Sequence, residues 1–237
     1  MRVPTGDHVA RSVASVNRRV WLAEVMQKKL ERFDGLYAPT YDQEWGAIPQ
    51  THRRFVRRII ESAPQRGCIL DAACGTGRFF PMILESGRTL RGAEWSVGML
   101  DIARAKHPDV RIDCARLQAL AFDAEYDGVI CVDALENLPP EDWTVSLAGL
   151  GRAAKHEALI YVTVELPEST EVVAAAYERA IARGWPVVPG EVTDEDGYHY
   201  YPGRDEVCVW LHEAGLDAVD ETDADGYRHL LCRRGSR

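Results

Sequence analysis

Short apolar runs alternate with longer amphipathic stretches along most of the chain. The short runs stop at polar residues or glycine, which predicts strands, and the stretches between them repeat apolar residues every three or four positions, which predicts helices. This alternation indicates a parallel sheet with right-handed crossovers and helices on both faces. The predicted strands are 68–72, 90–94, 110–113, 126–132 and 158–164, and the helices between them lie near 78–86, 98–106 and 141–154.

Both ends of the chain depart from this alternation. Apolar positions between 9 and 30 predict a helix, which a turn-rich aromatic segment, 33–42, separates from a basic amphipathic helix over 50–62. Near the other end, Thr-Asp-Ala-Asp-Gly favours a hairpin between two strands. The elements predicted there are a helix over 203–214 and strands near 216–221 and 227–233.

Together these elements predict a single α/β domain with a doubly wound, mostly parallel seven-stranded sheet that ends in an antiparallel hairpin. The 237 residues are enough to bury a full core. We expect residues 1–62 to form a helical N-terminal cap and residues 63–237 to form a core that binds a cofactor. Within that core, residues 165–202 are predicted to be an inserted lid over the substrate.

Composition limits the possible partners. A formal charge of −9 at pH 7 disfavours nucleic acid, whose binding depends on Lys and Arg that neutralise phosphates. The six cysteines form no Cys-x-x-Cys pair, which predicts reduced thiols in a cytoplasmic protein. No apolar run approaches the roughly 20 residues that a membrane-spanning helix needs, so we expect no membrane partner.

A glycine loop follows the first predicted strand, in the stretch CILDAACGTGRFF at 68–80. Gly75 and Gly77 let the backbone approach a ligand closely at the carboxyl end of the strand. The absence of Gly-Lys-Ser or Gly-Lys-Thr excludes a triphosphate loop, and Phe80 stands where a dinucleotide fingerprint has its third glycine. Asp71 would repel a pyrophosphate and attract a cation, which favours S-adenosylmethionine as the ligand.

A second acid, Glu94, ends the next predicted strand. Doubly wound folds place a carboxylate at this position to accept hydrogen bonds from ribose hydroxyls. The alternative is a strand-end acid that only caps the helix after it. The glycine loop nearby favours the ribose role.

These motifs resemble those of the class I S-adenosylmethionine-dependent methyltransferases. LDAACGTG at 70–77 is similar to the family's first motif and GAEWSVGML at 92–100 to its second, while 122–139 resembles the fourth strand and its loop. The resemblance implies that S-adenosylmethionine is bound and S-adenosylhomocysteine is released. It also implies a set of cofactor-binding residues, which are Asp71, Ala73, Gly75, Gly77, Glu94, Trp95, Met99, Leu117, Gln118 and Asp133.

Two positions depart from the family pattern. Arg116 stands where members commonly carry an acid for the adenine amino group, so we expect Leu117 and Gln118 to hold the adenine. Asn137 stands where several relatives that methylate oxygen have histidine, and an amide cannot act as a base. A base must therefore come from elsewhere or be unnecessary.

Aromatic residues with a nearby histidine mark the candidate acceptor site. His199 lies among tyrosines in EDGYHYYP, 195–202, and is the first candidate base; Glu136 and Tyr41 complete the candidate catalytic set. We expect no metal, since the chain has no His-x-x-x-His pair and no cysteine pair. The candidate substrate residues, each of which has a packing role as the alternative, are Tyr37, Trp45, Tyr198, Tyr200 and Tyr201.

The leading prediction is an enzyme that transfers a methyl group from S-adenosylmethionine to oxygen or nitrogen of a small-molecule metabolite, as a monomer or homodimer. One alternative is an RNA or protein methyltransferase of the same fold, and the acidic charge counts against RNA. Another is a non-catalytic protein that binds the cofactor, which the two departures from the family pattern suggest.

Overall fold

The computed structural model describes residues 17–194 and 197–235. Its strands, in chain order, are β1 Cys68–Ala72, β2 Thr89–Glu94, β3 Arg111–Cys114, β4 Tyr126–Cys131, β5 Ala154–Glu165, β6 Glu191–Asp194, β7 Gly197–Tyr200, β8 Leu216–Ala224 and β9 Tyr227–Arg234. The α-helices are α1 Arg18–Arg32, α2 Tyr41–Trp45, α3 Gln50–Ser62, α4 Phe80–Leu84, α5 Val97–Lys106, α6 Trp143–Ala153, α7 Thr170–Ala182 and α8 Arg204–Glu213.

Within the described ranges, seven strands form one sheet in the order β3-β2-β1-β4-β5-β9-β8. The first five are parallel, and β9 pairs antiparallel with both β5 and β8. The predicted mostly parallel seven-stranded sheet with a C-terminal hairpin is therefore confirmed. Because β1 lies between β2 and β4, the loops that follow β1 and β4 diverge and leave a crevice at the carboxyl ends of the strands.

Successive side chains of β1 pack in two hydrophobic clusters on opposite faces of the sheet. Ile69 packs in a cluster with Phe55 and Ile59 of α3, whereas Leu70 packs in another with Trp143 and Leu147 of α6. This alternation is the period-two pattern of a strand that is buried on both faces.

The basic helix α3 has the bounds that its apolar spacing predicts. Phe55, Val56 and Ile59 are fully buried, whereas Arg53 and Arg57 are exposed. Its arginines therefore lie on the outer side of an amphipathic helix, as the sequence indicates.

The structure extends or revises several predicted elements. Helix α1 begins at Arg18, where the side chain of Asn17 accepts hydrogen bonds from two backbone N–H groups; the predicted start near residue 9 lies outside the described residues. The segment predicted to be turn-rich forms a π-helical turn, Phe33–Tyr37, followed by α2.

Residues 165–202 contain elements that the sequence pattern did not predict. Helix α7 has a start signal, because the Ser169 side chain accepts a hydrogen bond from the Val172 N–H. The β6–β7 pair has only four residues in each strand, which is too short for periodicity to reveal. No helix in the described part of the chain is long and apolar enough to cross a membrane.

Helix α1 is fastened at both ends to the β6–β7 hairpin. Arg18 donates to both carboxylate oxygens of Glu191, at 2.7 and 2.9 Å, and also to Glu141. Glu191 is fully buried and accepts another bond from the Tyr198 hydroxyl. At the other end of α1, the buried Lys29 ammonium donates to the Tyr198 carbonyl.

Arg18→Met should lower the free energy of unfolding by about 3 kcal/mol, since removing one partner leaves the buried Glu191 carboxylate short of a counter-charge. Chemical denaturation measures this change. Arg19→Met is the matched control, because Arg19 is the exposed neighbour in the same helix. Equal stability of the two variants would contradict a fastening role for Arg18.

Candidate active site

A cavity of about 880 Å³ lies in the crevice at the carboxyl ends of β1, β2 and β4. Its floor comes from the loops that follow these strands, and α1 forms its roof through residues such as Leu22, Met26 and Leu30. All the predicted cofactor residues except Gly77 line this cavity.

The glycine loop takes the tight conformation that its sequence predicts. Gly75 and Gly77 have φ values of 54° and 82°, and Ala73 also lies in the left-handed region at 60°. At Gly77 a Cβ atom would come within about 3.0 Å of Phe80 and 3.1 Å of His107. The absence of a side chain at Gly77 therefore lets Phe80 and His107 pack against the loop. At Gly75 the space is open apart from Tyr41, which leaves room for a ligand beside the backbone.

Asp71 is buried at the end of β1 with one carboxylate oxygen, Oδ2, that has no hydrogen-bond partner. Burial raises the pKa of this carboxyl well above its usual range, and the charge of Glu94 adds to the effect while that of Arg78 opposes it. A cationic group of a ligand in the cavity would satisfy the oxygen and favour its ionised form. The site therefore fits the ammonium and sulfonium charges of S-adenosylmethionine.

Glu94 joins the two cofactor loops through backbone hydrogen bonds. One carboxylate oxygen accepts from the Gly75 N–H at 2.8 Å, and the other accepts from the N–H groups of Trp95 and Ser96 at 2.7 Å. Burial raises the pKa of Glu94, and these three bonds work against the rise. The side chain both caps the turn into α5 and lies on the cavity wall, where a ribose could bind.

The predicted adenine end of the cavity contains an aromatic and cationic pair. The Arg116 guanidinium lies 3.8 Å from the centroid of the Trp95 ring, within cation–π range. Met99 is buried in the wall of the cavity, and Gln118 donates to Asp142 at 2.7 Å. Arg116, which replaces the acid that relatives commonly carry, thus has a stacking partner.

Asp133 lines the cavity on the side of β4. Its backbone is left-handed, with φ of 53°, and its N–H donates to the Thr163 hydroxyl at 2.9 Å. Burial raises the pKa of Asp133, but His52 and the Arg78 guanidinium outweigh it and hold the pKa below its usual value. Arg78 donates to Oδ2, while Oδ1 is 3.7 Å from His52 Nε2 and has no hydrogen-bond partner.

Of the predicted N-terminal aromatic residues, Tyr41 reaches the cavity. Burial raises the pKa of its phenol to about 12, so the hydroxyl keeps its proton at neutral pH. Tyr37 and Trp45 pack edge-on to each other, and Trp45 also packs against Tyr41, but neither Tyr37 nor Trp45 lines the cavity.

Glu136 lies beside the cavity, next to Asn137, which lines it. Its Oε1 accepts from the Asn137 amide at 3.1 Å, while Oε2 is buried with no hydrogen-bond partner. Burial, with added repulsion from Asp133 and Glu165, raises the pKa of Glu136 to about 8.

The four candidates from the EDGYHYYP stretch are outside the cavity lining. Tyr198 and Tyr200 are buried, and their hydroxyls donate to Glu191 and Glu206. His199 lies 3.2 Å from the Tyr201 hydroxyl and 3.6 Å from Glu165. The structure therefore does not bring these four residues to the cavity, and alternation along β7 turns the rings of Tyr198 and Tyr200 into the core.

The structure also groups residues that sequence reasoning did not connect. Potential metal-ligand atoms of His52, Asp225 and His229 all lie within 4.8 Å of one another. Both His229 nitrogens are already paired, with the Tyr161 hydroxyl at 2.7 Å and the Ala224 carbonyl at 3.1 Å. Because these pairings compete with coordination, we assign no metal to this group.

Arg78 and the apolar face of α1 are site residues that the sequence analysis missed. Arg78 follows the glycine loop and pairs with Asp133 across the cavity floor. The periodic Leu22, Met26 and Leu30 were predicted only as one face of a helix. Nothing in that periodicity shows that the face lines a cavity.

The fold and this cavity are those of the class of α/β proteins that bind a nucleotide-type cofactor at the carboxyl ends of the strands. A family model described as a methyltransferase domain matches residues 69–157. The chain is 28% identical over 134 residues to YqeM of Bacillus subtilis, a protein named as a methyltransferase, and this match spans 53% of that protein. It is also 23% identical to the demethylmenaquinone methyltransferase of Renibacterium salmoninarum, over 80% of this chain and 84% of that protein.

Solved structures share the fold. The 1,6-didemethyltoxoflavin-N1-methyltransferase of Burkholderia thailandensis, whose structure holds its substrate and S-adenosylhomocysteine, superposes with a TM-score of 0.67 at 13% identity. The superposition covers 100% of this chain and 94% of that one. Residues 69–157 therefore match a methyltransferase domain, and the resemblance to the class I S-adenosylmethionine-dependent methyltransferases noted in the motifs is confirmed.

Glu94→Ala should weaken S-adenosylhomocysteine binding by about ten- to a hundredfold, since hydrogen bonds to a charged group contribute about 1.5 to 3 kcal/mol. Calorimetry measures the affinity. The exposed Glu85, replaced by alanine, is the control. Unchanged affinity in Glu94→Ala would overturn the ribose assignment.

Glu136→Gln should gain stability relative to the wild type as pH rises. The unfolded chain loses the Glu136 proton near pH 4.5, whereas the folded protein keeps it until about pH 8, so ionisation destabilises the fold progressively across that window. The neutral glutamine lacks this effect. We expect the difference in unfolding free energy to grow by about 4 to 5 kcal/mol between those pH values.

Urea denaturation at several pH values measures this difference. Glu85→Gln, at an exposed position, should show a constant difference from the wild type over the same range. A constant difference for Glu136→Gln as well would mean that Glu136 ionises at its ordinary pKa.

Proposed function

We propose that the protein transfers the methyl group of S-adenosylmethionine to an oxygen or nitrogen atom of a small molecule with an apolar, ring-containing body. The observation that carries this proposal is the shape of the cavity. Beyond the cofactor residues it continues between Leu22 and Met26 of α1 and Leu138 and Pro139 of the loop after β4. An apolar slot of this kind suits a compact organic molecule.

The cofactor supplies a methyl group that its sulfonium already activates. The chain's part is to hold it: Asp71 faces the cationic tail, Glu94 the ribose, and the Trp95–Arg116 pair with Met99 the adenine. These residues lie on three successive strand ends and their loops, which leaves the part of the cavity beside the loop after β4 for the acceptor. Alignment of nucleophile and methyl there supplies much of the rate enhancement.

Polar groups at that loop suit an acceptor with an O–H or N–H group. Asp133 is ionised at neutral pH because Arg78 and His52 lower its pKa, and its Oδ1 has no hydrogen-bond partner. Tyr41, with a pKa of about 12, serves as a donor and not as a base. Asn137 offers both a donor and an acceptor. In this arrangement Asp133 orients the acceptor's proton and Tyr41 holds its heteroatom.

The names of the relatives support a ring-containing acceptor. They refer to demethylmenaquinone in one case and to 1,6-didemethyltoxoflavin in another. An RNA acceptor is disfavoured by the charge of −9, because phosphate neutralisation supplies most of the affinity for nucleic acid.

Calorimetry with S-adenosylmethionine and S-adenosylhomocysteine, with NAD as the control ligand, tests the cofactor. Transfer of a labelled methyl group to a panel of quinols, phenols and ring amines then tests the acceptor class. Turnover on RNA alone would replace the proposal with the nucleic-acid alternative. Cofactor binding without turnover on any acceptor would favour a non-catalytic protein.

Tyr41→Phe should lower kcat by about tenfold with little change in cofactor affinity, since it removes one hydrogen bond to the acceptor. His199→Ala should leave kcat unchanged, because His199 is outside the cavity lining. Steady-state kinetics of the two variants compare these roles. A large loss of kcat in His199→Ala alone would restore histidine as the base and remove Tyr41 from the mechanism.

A further inference from the structure

The segment between α1 and α3 lies across both loops that hold the cofactor. We call residues 33–45, from Phe33 to Trp45, the strap. Phe33 and Tyr41 face the cavity, whereas Leu36 and Trp45 are exposed to solvent, at 56% and 44%. The strap is thus a single layer between part of the cavity and solvent.

One carboxylate of the strap holds the loop after β2. Asp34 Oδ1 accepts from the Ser96 hydroxyl at 2.6 Å and from the Gly98 N–H at 3.0 Å. Ser96 in turn caps α5 by accepting from the Met99 N–H at 3.2 Å. Asp34 therefore holds Ser96 and Gly98, which come just after Glu94 and Trp95 in the chain.

The second carboxylate holds the glycine loop. Asp42 Oδ1 accepts from the Thr76 hydroxyl at 2.5 Å, and its other oxygen accepts from the Lys106 ammonium at 2.7 Å. Thr76 is fully buried between Gly75 and Gly77. The pKa of Asp42 is lowered, since the bonds from Lys106 and Thr76 outweigh the effect of burial.

Close packing accompanies these polar contacts. A Cβ atom on Gly98 would come within 2.6 Å of the Asp34 carbonyl oxygen, so the strap backbone lies directly on the start of α5. At the other end, Arg78 donates to the Trp45 carbonyl at 3.0 Å. The strap is therefore attached at several points to the loops that carry Gly75, Glu94 and Trp95.

We propose that Asp34 and Asp42 are positioning residues for the cofactor: each holds one cofactor loop in its binding geometry and keeps the strap closed over the bound cofactor. Neither acts on the acceptor. The proposal rests on the proposed function, because it takes the cavity as the cofactor site. It goes further by assigning cofactor retention to two side chains that the family motifs above do not include.

Replacing either carboxylate should speed release of the cofactor. We expect Asp34→Ala and Asp42→Ala to raise the dissociation rate of S-adenosylmethionine by about tenfold or more, in line with the loss of charge-assisted hydrogen bonds. Asp34→Asn and Asp42→Asn should fall between alanine and wild type, since an amide oxygen can still accept from Ser96 or Thr76. Asp101→Ala is the control, because Asp101 is an exposed carboxylate on α5, the helix whose first turn Asp34 contacts.

A chase of radiolabelled S-adenosylmethionine with excess unlabelled cofactor measures the release rate, and thermal unfolding is followed in parallel. The double variant Asp34→Ala/Ser96→Ala should raise the release rate by less than the product of the two single fold-changes, because the two side chains share one hydrogen bond. If the alanine and asparagine variants melt at lower temperatures but release the cofactor at the wild-type rate, both residues only stabilise the fold. That result would overturn the proposal. If the wild type retained no S-adenosylmethionine at all, the proposed function would fail instead.

Discussion

Burial of two carboxylates at neighbouring strand ends shapes this site. A buried charge is unfavourable by several kcal/mol unless hydrogen bonds or counter-charges satisfy it. Glu94 meets this condition through three backbone N–H groups, which draws the glycine loop and the start of α5 together. Asp71 meets it only in part, because one of its oxygens has no partner. The two loops are therefore held in place by the fold itself, and Asp71 keeps one carboxylate oxygen without a hydrogen-bond partner. A cationic group of a ligand can satisfy that oxygen.

The rest of the cavity is completed by parts of the chain that precede the first strand. Helix α1 forms the roof, and its ends are fastened by Arg18 to Glu191 and by Lys29 to the Tyr198 carbonyl. The hairpin within residues 165–202 therefore influences the cavity through α1. Its tyrosines 198 and 200 are buried in the core, a placement that aromatic composition alone does not reveal.

Two acidic residues, Asp133 and Glu136, follow β4 at the edge of the cavity. Asp133 stays ionised because Arg78 and His52 lower its pKa, whereas Glu136, with no such cation at hydrogen-bond distance, holds its proton up to about pH 8. Two carboxyl groups three residues apart are thus separated in charge state by their surroundings. One acts as an anion at neutral pH, and the other is a neutral group behind Asn137.

The sequence by itself determined the sheet, the glycine loop and the positions of Asp71 and Glu94. Strand periodicity and loop motifs are local properties, so residues 68–72 and the helix over 50–62 were predicted with their observed bounds. What tertiary structure alone decided were contacts between segments far apart in the chain: α1 over the cavity, Arg78 beside Asp133, and the rings of Tyr198 and Tyr200 turned into the core. Such contacts depend on how helices and hairpins pack against the sheet, and no local pattern of residues encodes that geometry.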